Sequence, residues 1–265
     1  MEAKLCRELN NMSLELLASY LGVELKTVQV LYKELLDDSQ FLGELNEQLR
    51  TAREFYREAI CRHEILESVD WMSIQRIILY ILVRLYHPDI CLETGVFYGG
   101  NTSFILNALR KNDYGALISI DLPGNEIDNS LRHHLVGNTE DVPDGLGTGF
   151  MVHNALKSRW VFIKGDSLTE IPKIDRKIDL YVHDSDHSFK FVMHEMSLMW
   201  DKMNSKGVIL ADDVDWSNGF YTFCSRKSLY PLIITDNGKS GLRARTGIVK
   251  LNHPSRLKYD IVGNR

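Results

Sequence analysis

The segment Cys91–Ser103, Cys-Leu-Glu-Thr-Gly-Val-Phe-Tyr-Gly-Gly-Asn-Thr-Ser, constrains the fold more than any other stretch of the chain. It follows an apolar run, Ile77–Tyr86, and a turn at His87–Pro88, and it precedes the amphipathic Phe104–Leu109. With Asp89–Glu93 as a short strand, the order is strand, glycine turn, helix. Glycines in such a turn let a backbone approach a ligand closely. The new helix would present free N–H groups beside Gly99–Thr102. An ordinary βα turn that happens to hold glycine has the same outline. Glu93 separates the two readings, because it puts a carboxylate where the strand should end.

A dinucleotide-binding turn spaces its glycines G-x-G-x-x-G, the first lying close to a pyrophosphate. Here the spacing is Glu93-x-Gly95-x-x-x-Gly99, with an acid in place of the first glycine. A carboxylate repels a pyrophosphate but pairs with a cationic ligand. S-adenosylmethionine fits, since it carries an ammonium and a sulfonium and no phosphate. An NAD-dependent oxidoreductase is the rival reading, disfavoured by Glu93 and by the missing close pair of glycines.

The chain's 265 residues suffice for one α/β domain and a smaller appendage. Hydrophobic content of 44% and charged content of 25% are those of an ordinary globular protein. A net charge of −5 gives no electrostatic reason to expect nucleic acid. Cys6, Cys61, Cys91 and Cys224 are scattered, without metal-ligand spacing, and read as reduced thiols of a cytoplasmic protein. No apolar leader opens the chain, and Ile77–Tyr86 is too short for a membrane span and contains Arg84.

Residues 1–70 show no strand-like alternation and no proline, which predicts helices over Ser13–Leu21, Leu25–Leu36 and Phe41–Arg62. Val69–Tyr86 is a further helix that should pack on the sheet. Leu14–Leu36, with Gly22 in its turn, has the outline of a helix-turn-helix. Its second helix offers Lys26 and Lys33 against Glu24, Glu34, Asp37 and Asp38, a poor face for phosphates. A helical hairpin for packing, for a homodimer or for a lid over the substrate is the preferred reading. A non-catalytic regulator using the hairpin on DNA or a partner is the alternative.

Residues 71–265 predict an α/β domain: a Rossmann-like, seven-stranded, mostly parallel sheet with helices on both faces. After the first strand come Ala116–Asp121, Trp160–Lys164, Ile178–His183, Val208–Ala211, Pro231–Thr235 and Thr246–Leu251, with Asn204–Gly207 as a turn. The last strand returns antiparallel. Asp121, ending the second strand, suits two ribose hydroxyls or a simple strand-end cap. Asn125–Arg159 is too long for a plain connection and reads as a flap over the strand ends; His133 and His134 within it are assigned nothing. Gly165-Asp166-Ser167 is a helix cap at least. Trp216 could line an acceptor pocket.

Asp184, Asp212 and Asp213 should converge beyond neighbouring strands. Clustered carboxylates repel unless protons or a cation neutralise them, and an all-oxygen set suits a hard divalent ion such as magnesium. Strand-end solvation and helix capping explain the same acids without a metal.

Together, Glu93-Thr94-Gly95-Val96 with Gly99-Gly100-Asn101-Thr102, then His183-Asp184-Ser185-Asp186-His187-Ser188-Phe189, then Leu210-Ala211-Asp212-Asp213, resemble class I S-adenosylmethionine-dependent methyltransferases. The similar group holds macrocin O-methyltransferase-like and cephalosporin-hydroxylase-like proteins and, more distantly, catechol O-methyltransferase. The resemblance spans roughly Met72–Leu251. It implies methyl transfer to a small-molecule acceptor, with an oxygen as the expected nucleophile. It implies a cofactor site of Glu93, Thr94, Gly95, Gly99, Asn101, Thr102, Asp121, Asp166, Ser167 and Asp184, with Asp166 facing the adenine. In metal-dependent members, acids matching Asp184, Asp212 and Asp213 bind magnesium, and one matching Asp186 is a proposed general base. His187, with an ordinary pKa of about 6.5, is a second candidate for that proton.

Overall fold

The computed structural model describes residues 11–55, 72–122, 147–237 and 243–252. His133, His134, Cys6, Cys61 and most of the expected flap lie outside the described residues.

Helices α1 (Asn11–Leu21), α2 (Leu25–Leu36) and α3 (Ser39–Phe55) come first, followed by α4 (Ile74–Tyr86). The Ser73 hydroxyl caps α4 by accepting the Arg76 N–H, and His87 ends it in a left-handed conformation with φ 46°. Every side chain from Ile77 to Val83 is buried, because this helix is wrapped by the sheet on one side and by other helices on the rest. Each such residue contributes on the order of 1.5–3 kcal/mol of burial.

Strand β1 (Ile90–Thr94) leads through the glycine turn into α5 (Gly100–Asn112), then β2 (Ala116–Asp121), β3 (Trp160–Lys164) and the single turn α6 (Ser167–Glu170). Then follow β4 (Ile178–His183), α7 (Phe189–Lys202), β5 (Met203–Ala211), α8 (Gly219–Arg226), β6 (Leu232–Asn237) and β7 (Arg243–Lys250). The sheet order is β3-β2-β1-β4-β5-β7-β6, with β7 antiparallel to both β5 and β6. The predicted seven-stranded α/β sheet is therefore present, return strand included. Chain direction reverses between β1 and β4, the switch point where open α/β sheets bind ligands.

Two expectations shift. Strand β1 runs to Thr94, so Glu93 is its penultimate residue and points into the protein. Asn204–Gly207 is not a turn but part of β5, which starts directly from α7. The register slips between Ile178 and Leu180 where the two strands meet, and this irregularity absorbs what the polar sequence suggested was a loop.

Alternation along the strands splits the core in two. Cys91, Leu117, Val182 and Leu210 face α1–α5, whereas Leu92, Ile120, Tyr181 and Ile209 face α7 and α8. Leu14, Leu17, Leu21, Val28, Leu35 and Phe41 belong to the first cluster, and the Phe41 ring meets Phe104 edge-on at 5.0 Å. The N-terminal helices are thus built into the same core as the sheet. Tyr20 donates to the Tyr230 carbonyl at 2.8 Å, and Glu34 takes both the Tyr80 hydroxyl and the Arg84 guanidinium. The helix that a DNA-reading hairpin would need exposed is docked on α4. Among the described residues no helix is long and apolar enough to cross a membrane.

Candidate functional site

Loops leaving the C-terminal ends of β1, β2, β4 and β5 meet at the switch point. Glu93 is fully buried there, and its Oε2 accepts the hydroxyls of Thr102 at 2.8 Å and Ser119 at 2.7 Å. Its Oε1 is buried without a partner. Burial pushes this carboxyl up to about 7 against the two hydroxyl bonds that favour its ionised form.

The glycines serve a different purpose from the expected one. Gly95 has φ 81°, and a Cβ there would run into the Asp184 carbonyl. Gly99 has φ 85°, and its Cβ would lie 2.6 Å from the Val152 side chain and 3.0 Å from the Gly149 Cα. In both places the close approach is of chain to chain. The β1 turn is pressed against the β4 turn on one side and against residues 149–152 on the other. Gly149 and Met151 N–H groups bond the Phe97 and Tyr98 carbonyls at 2.7 and 2.9 Å. Asp121 completes the turn by accepting the N–H groups of Val96 and Phe97 with one oxygen, Oδ2, both at 2.8 Å. Burial raises its carboxyl, and these two bonds oppose the rise.

The predicted cofactor residues divide into three kinds. Glu93, Asn101, Thr102 and Asp184 come together around the turn, with the Asn101 amide donating to Asp184 Oδ2 at 2.7 Å. Thr94 and Ser167 direct their hydroxyls inward, onto Glu195. Asp166 is exposed and caps α6, accepting the Leu168 N–H at 3.2 Å and the Thr169 hydroxyl at 3.0 Å.

Asp184, Asp212 and Asp213 do converge. Burial raises all three carboxyls, and Asp184 is raised further by the charges of Asp212, Asp213 and Glu93. Asp212 reaches about 7. Asp213 holds a left-handed backbone, φ 45°, an uncommon conformation for a residue with a side chain. His187 Nε2 lies 4.0 Å from both Asp184 Oδ1 and Asp213 Oδ2. Burial, then the neighbouring His183 charge, brings the His187 ring down to about 4, so it is neutral at physiological pH. Asp186 accepts the Ser188 N–H at 2.7 Å, the turn that opens α7. Among the described residues no group of three or more His, Cys, Asp or Glu is arranged to hold a metal ion.

Three contributors escaped the sequence reading. Arg76 and Gln75, in the first turn of α4, reach the acids: a Cβ on Gly100 would lie 2.6 Å from the Arg76 Cζ. The Arg76 charge draws Glu93, Asp184 and Asp212 downward, and a Gln75 hydrogen bond does the same for Asp212. The third is Glu195 of α7, fully buried. It collects Thr94, Tyr181, His183, Ser185 and Ser167. Burial alone would raise it, but the His183 charge and these bonds hold it at about 2. Its sequence signal is an acid three residues from Val192 and four from Met199, on the apolar stripe of its helix.

Sheet order, switch-point turn and buried strand-end acid define a class of α/β protein that places a cationic nucleoside against the β1 turn. Residues 92–214 match the family described as a methyltransferase domain. That segment is a methyltransferase domain, as the motifs predicted. No curated protein matches the chain. Among solved structures, cofactor-bound Rv0187 from MTB superposes with a TM-score of 0.55 at 13% identity, over 83% of this chain and 93% of that one. The O-methyltransferase TomG from Streptomyces achromogenes, involved in tomaymycin synthesis and solved in complex with S-adenosylmethionine, gives 0.52 at 16%, over 78% and 89%. These likenesses establish the shared fold.

Proposed function

We propose that the chain transfers a methyl group from S-adenosylmethionine to a hydroxyl oxygen of a small-molecule acceptor. The observation carrying this is Glu93: a fully buried carboxylate at the β1 end, with one oxygen tied down by Thr102 and Ser119 and the other unpartnered. A buried orphan acceptor beside a cluster of acids suits an ammonium-bearing ligand and not a pyrophosphate. The methyltransferase-domain match and the fold shared with an S-adenosylmethionine-bound enzyme support it.

In this reading Glu93 and Asp184 face the methionine amino group, and Gly95, Gly99, Asn101 and Thr102 shape the turn around it. Thr94 and Ser167 act from beneath, through Glu195. Asp121 takes the ribose hydroxyls through Oδ1, and Asp166 stands at the adenine end. When bound, S-adenosylmethionine supplies an activated methyl group, so the protein's work is to orient a hydroxyl and accept its proton. His187 is the group we assign to that proton: it is neutral, and its Nε2 faces the acids at the mouth of the site. Asp186 is the second candidate, with one oxygen committed to its turn. The exposed Trp216, its ring 6.1 Å from His187, forms one wall for the acceptor.

Asp184, Asp212 and Asp213 are the residues that would hold a magnesium ion, which would lower the pKa of a bound hydroxyl. The chemistry of the set suits a hard cation. The arrangement as it stands does not form a three-ligand group, and no step above is routed through metal. A homodimer through the N-terminal helices would have to use Val30 and Leu36, since the apolar residues facing the core are already covered. Cytoplasmic placement rests on Cys91 and Cys224, both buried and unbridged.

Calorimetry with S-adenosylhomocysteine and with NAD tests the reading. Binding of the first and not the second is expected; NAD binding alone would sink it.

A further inference from the structure

Below the site lies a pair of groups that the proposed reaction does not itself touch. His183 Nδ1 stands 2.6 Å from Glu195 Oε1, and both side chains are almost wholly buried. Glu195 Oε1 also takes the hydroxyls of Thr94 at 2.8 Å and Ser185 at 3.1 Å, and that of Tyr181. All of its partners donate to it. A carboxylate with only donors around it is ionised and accepts, so the imidazole places its proton on Nδ1. The His183 Nε2 is then left as a lone pair.

That Nε2 is buried with no partner, and so is the Nδ1 of His187. The two rings stand edge to face with centroids 5.7 Å apart. Buried ring nitrogens are hydrogen-bonded in native proteins, directly or through an ordered water. A lone pair on one and an N–H on the other satisfies both atoms at once; two lone pairs or two N–H groups do not.

We infer that Glu195 and His183 are positioning residues that fix the His187 ring with its proton on Nδ1 and its Nε2 lone pair turned toward the acids. The line runs Glu195 carboxylate, His183 Nδ1–H, His183 Nε2, His187 Nδ1–H, with one water bridging the rings where they do not meet directly. It rests on the assignment of His187 as proton acceptor only for its purpose; the ring state itself stands on the burial and pairing above. Which ring nitrogen carries the proton is set by the hydrogen bond made at the other one. The neutral state of His187 at physiological pH makes the tautomer well defined.

The test uses the full chain labelled with 15N-histidine, at about pH 7.5 where an ordinary imidazole is neutral. Long-range proton–nitrogen correlation spectra give each ring's tautomer, and the His187→Gln spectrum identifies the His187 signals. The wild type should show His187 protonated on Nδ1. In His183→Phe, which keeps the buried ring and removes both nitrogens, the His187 signals should move to a mixture of tautomers. Glu195→Gln, which frees the His183 tautomer, should do the same if the first variant does not fold. A wild-type His187 carrying its proton on Nε2 overturns the inference, as does a pattern unmoved by both variants. Calorimetry with S-adenosylhomocysteine runs alongside: failure of the wild type to bind counts against the methyltransferase reading and leaves the tautomer result intact.

Discussion

The carbonyl oxygen of Asp184 occupies the volume that a Cβ on Gly95 would need. The same two turns are tied by the Asp184 N–H, which donates to the Thr94 carbonyl at 2.9 Å. Gly95 is held at φ 81°, where a side chain adds strain of its own. Gly95→Ala should therefore push the β1 and β4 turns apart and disturb Glu93, Asn101 and Asp184 together. We expect the midpoint of thermal unfolding to fall and S-adenosylhomocysteine affinity to drop at least about tenfold, 1.4 kcal/mol. Unchanged binding with only lower stability would show that the two turns do not share the ligand.

Glu34 gives the contrasting case. It fastens α2 to α4 by accepting the Tyr80 hydroxyl at 2.5 Å and the Arg84 Nε at 2.6 Å, far from the glycine turn in the sequence. Glu34→Ala leaves both donors to find new partners, and bonds to charged groups contribute about 1.5–3 kcal/mol. Denaturant unfolding should register a loss within that span. S-adenosylhomocysteine affinity should stay within about threefold of the wild type. A large loss of affinity would give the N-terminal helices a direct part in the site.

Much of this was legible because periodicity reports burial. The strands Ala116–Asp121, Trp160–Lys164 and Ile178–His183 keep their predicted limits, since each is a compact apolar run closed by polar residues. Helix α2 does too. Asn204–Gly207 misled because polar residues also occur in a strand whose register slips against its neighbour. The acids of the site were visible as strand-end residues. Arg76, Gln75 and Ser119 were not, for their roles come from elements that meet only in three dimensions. Glu195 shows the limit clearly: an acid on an apolar stripe marks a buried network, but not which donors fill it. The glycines were found for a partly mistaken reason. They were assigned to ligand approach, and Gly95 and Gly99 are required by the packing of one protein turn on another.

Glu93 gives a pH dependence with a definite sign. Its folded value is raised to about 7 from 4.5, so the native state binds its proton more tightly than the unfolded chain. The stability from that proton is fully present below about pH 4.5 and is lost as pH rises through about 7. At about 1.4 kcal/mol per unit, the loss from this group is roughly 3 kcal/mol. Glu93→Gln should flatten this part of the stability profile between those limits. An ammonium ligand favours the ionised form, so S-adenosylhomocysteine should release a proton on binding near pH 6.5. Calorimetry in two buffers of different ionisation enthalpy reads that proton; none released would mean that Glu93 does not meet the ammonium.

The acid cluster yields the last expectation, and it separates proton neutralisation from cation neutralisation. Burial and mutual repulsion raise Asp184, Asp212 and Asp213, and Arg76 offsets only part of that for Asp184 and Asp212. Raised carboxyls stabilise the fold while protonated and cost stability once pH passes their folded values, about 7 for Asp212. A divalent cation competes with those protons. Millimolar magnesium should therefore raise the unfolding temperature more at pH 8 than at pH 6, and EDTA should remove the gain. Asp212→Asn relieves the repulsion, so it should leave the metal-free protein as stable or more stable at pH 8 while abolishing the magnesium response. A magnesium effect equal at both pH values, or kept by Asp212→Asn, would place the ion elsewhere. No magnesium effect at either pH would leave proton uptake and Arg76 as the means by which these carboxylates tolerate one another.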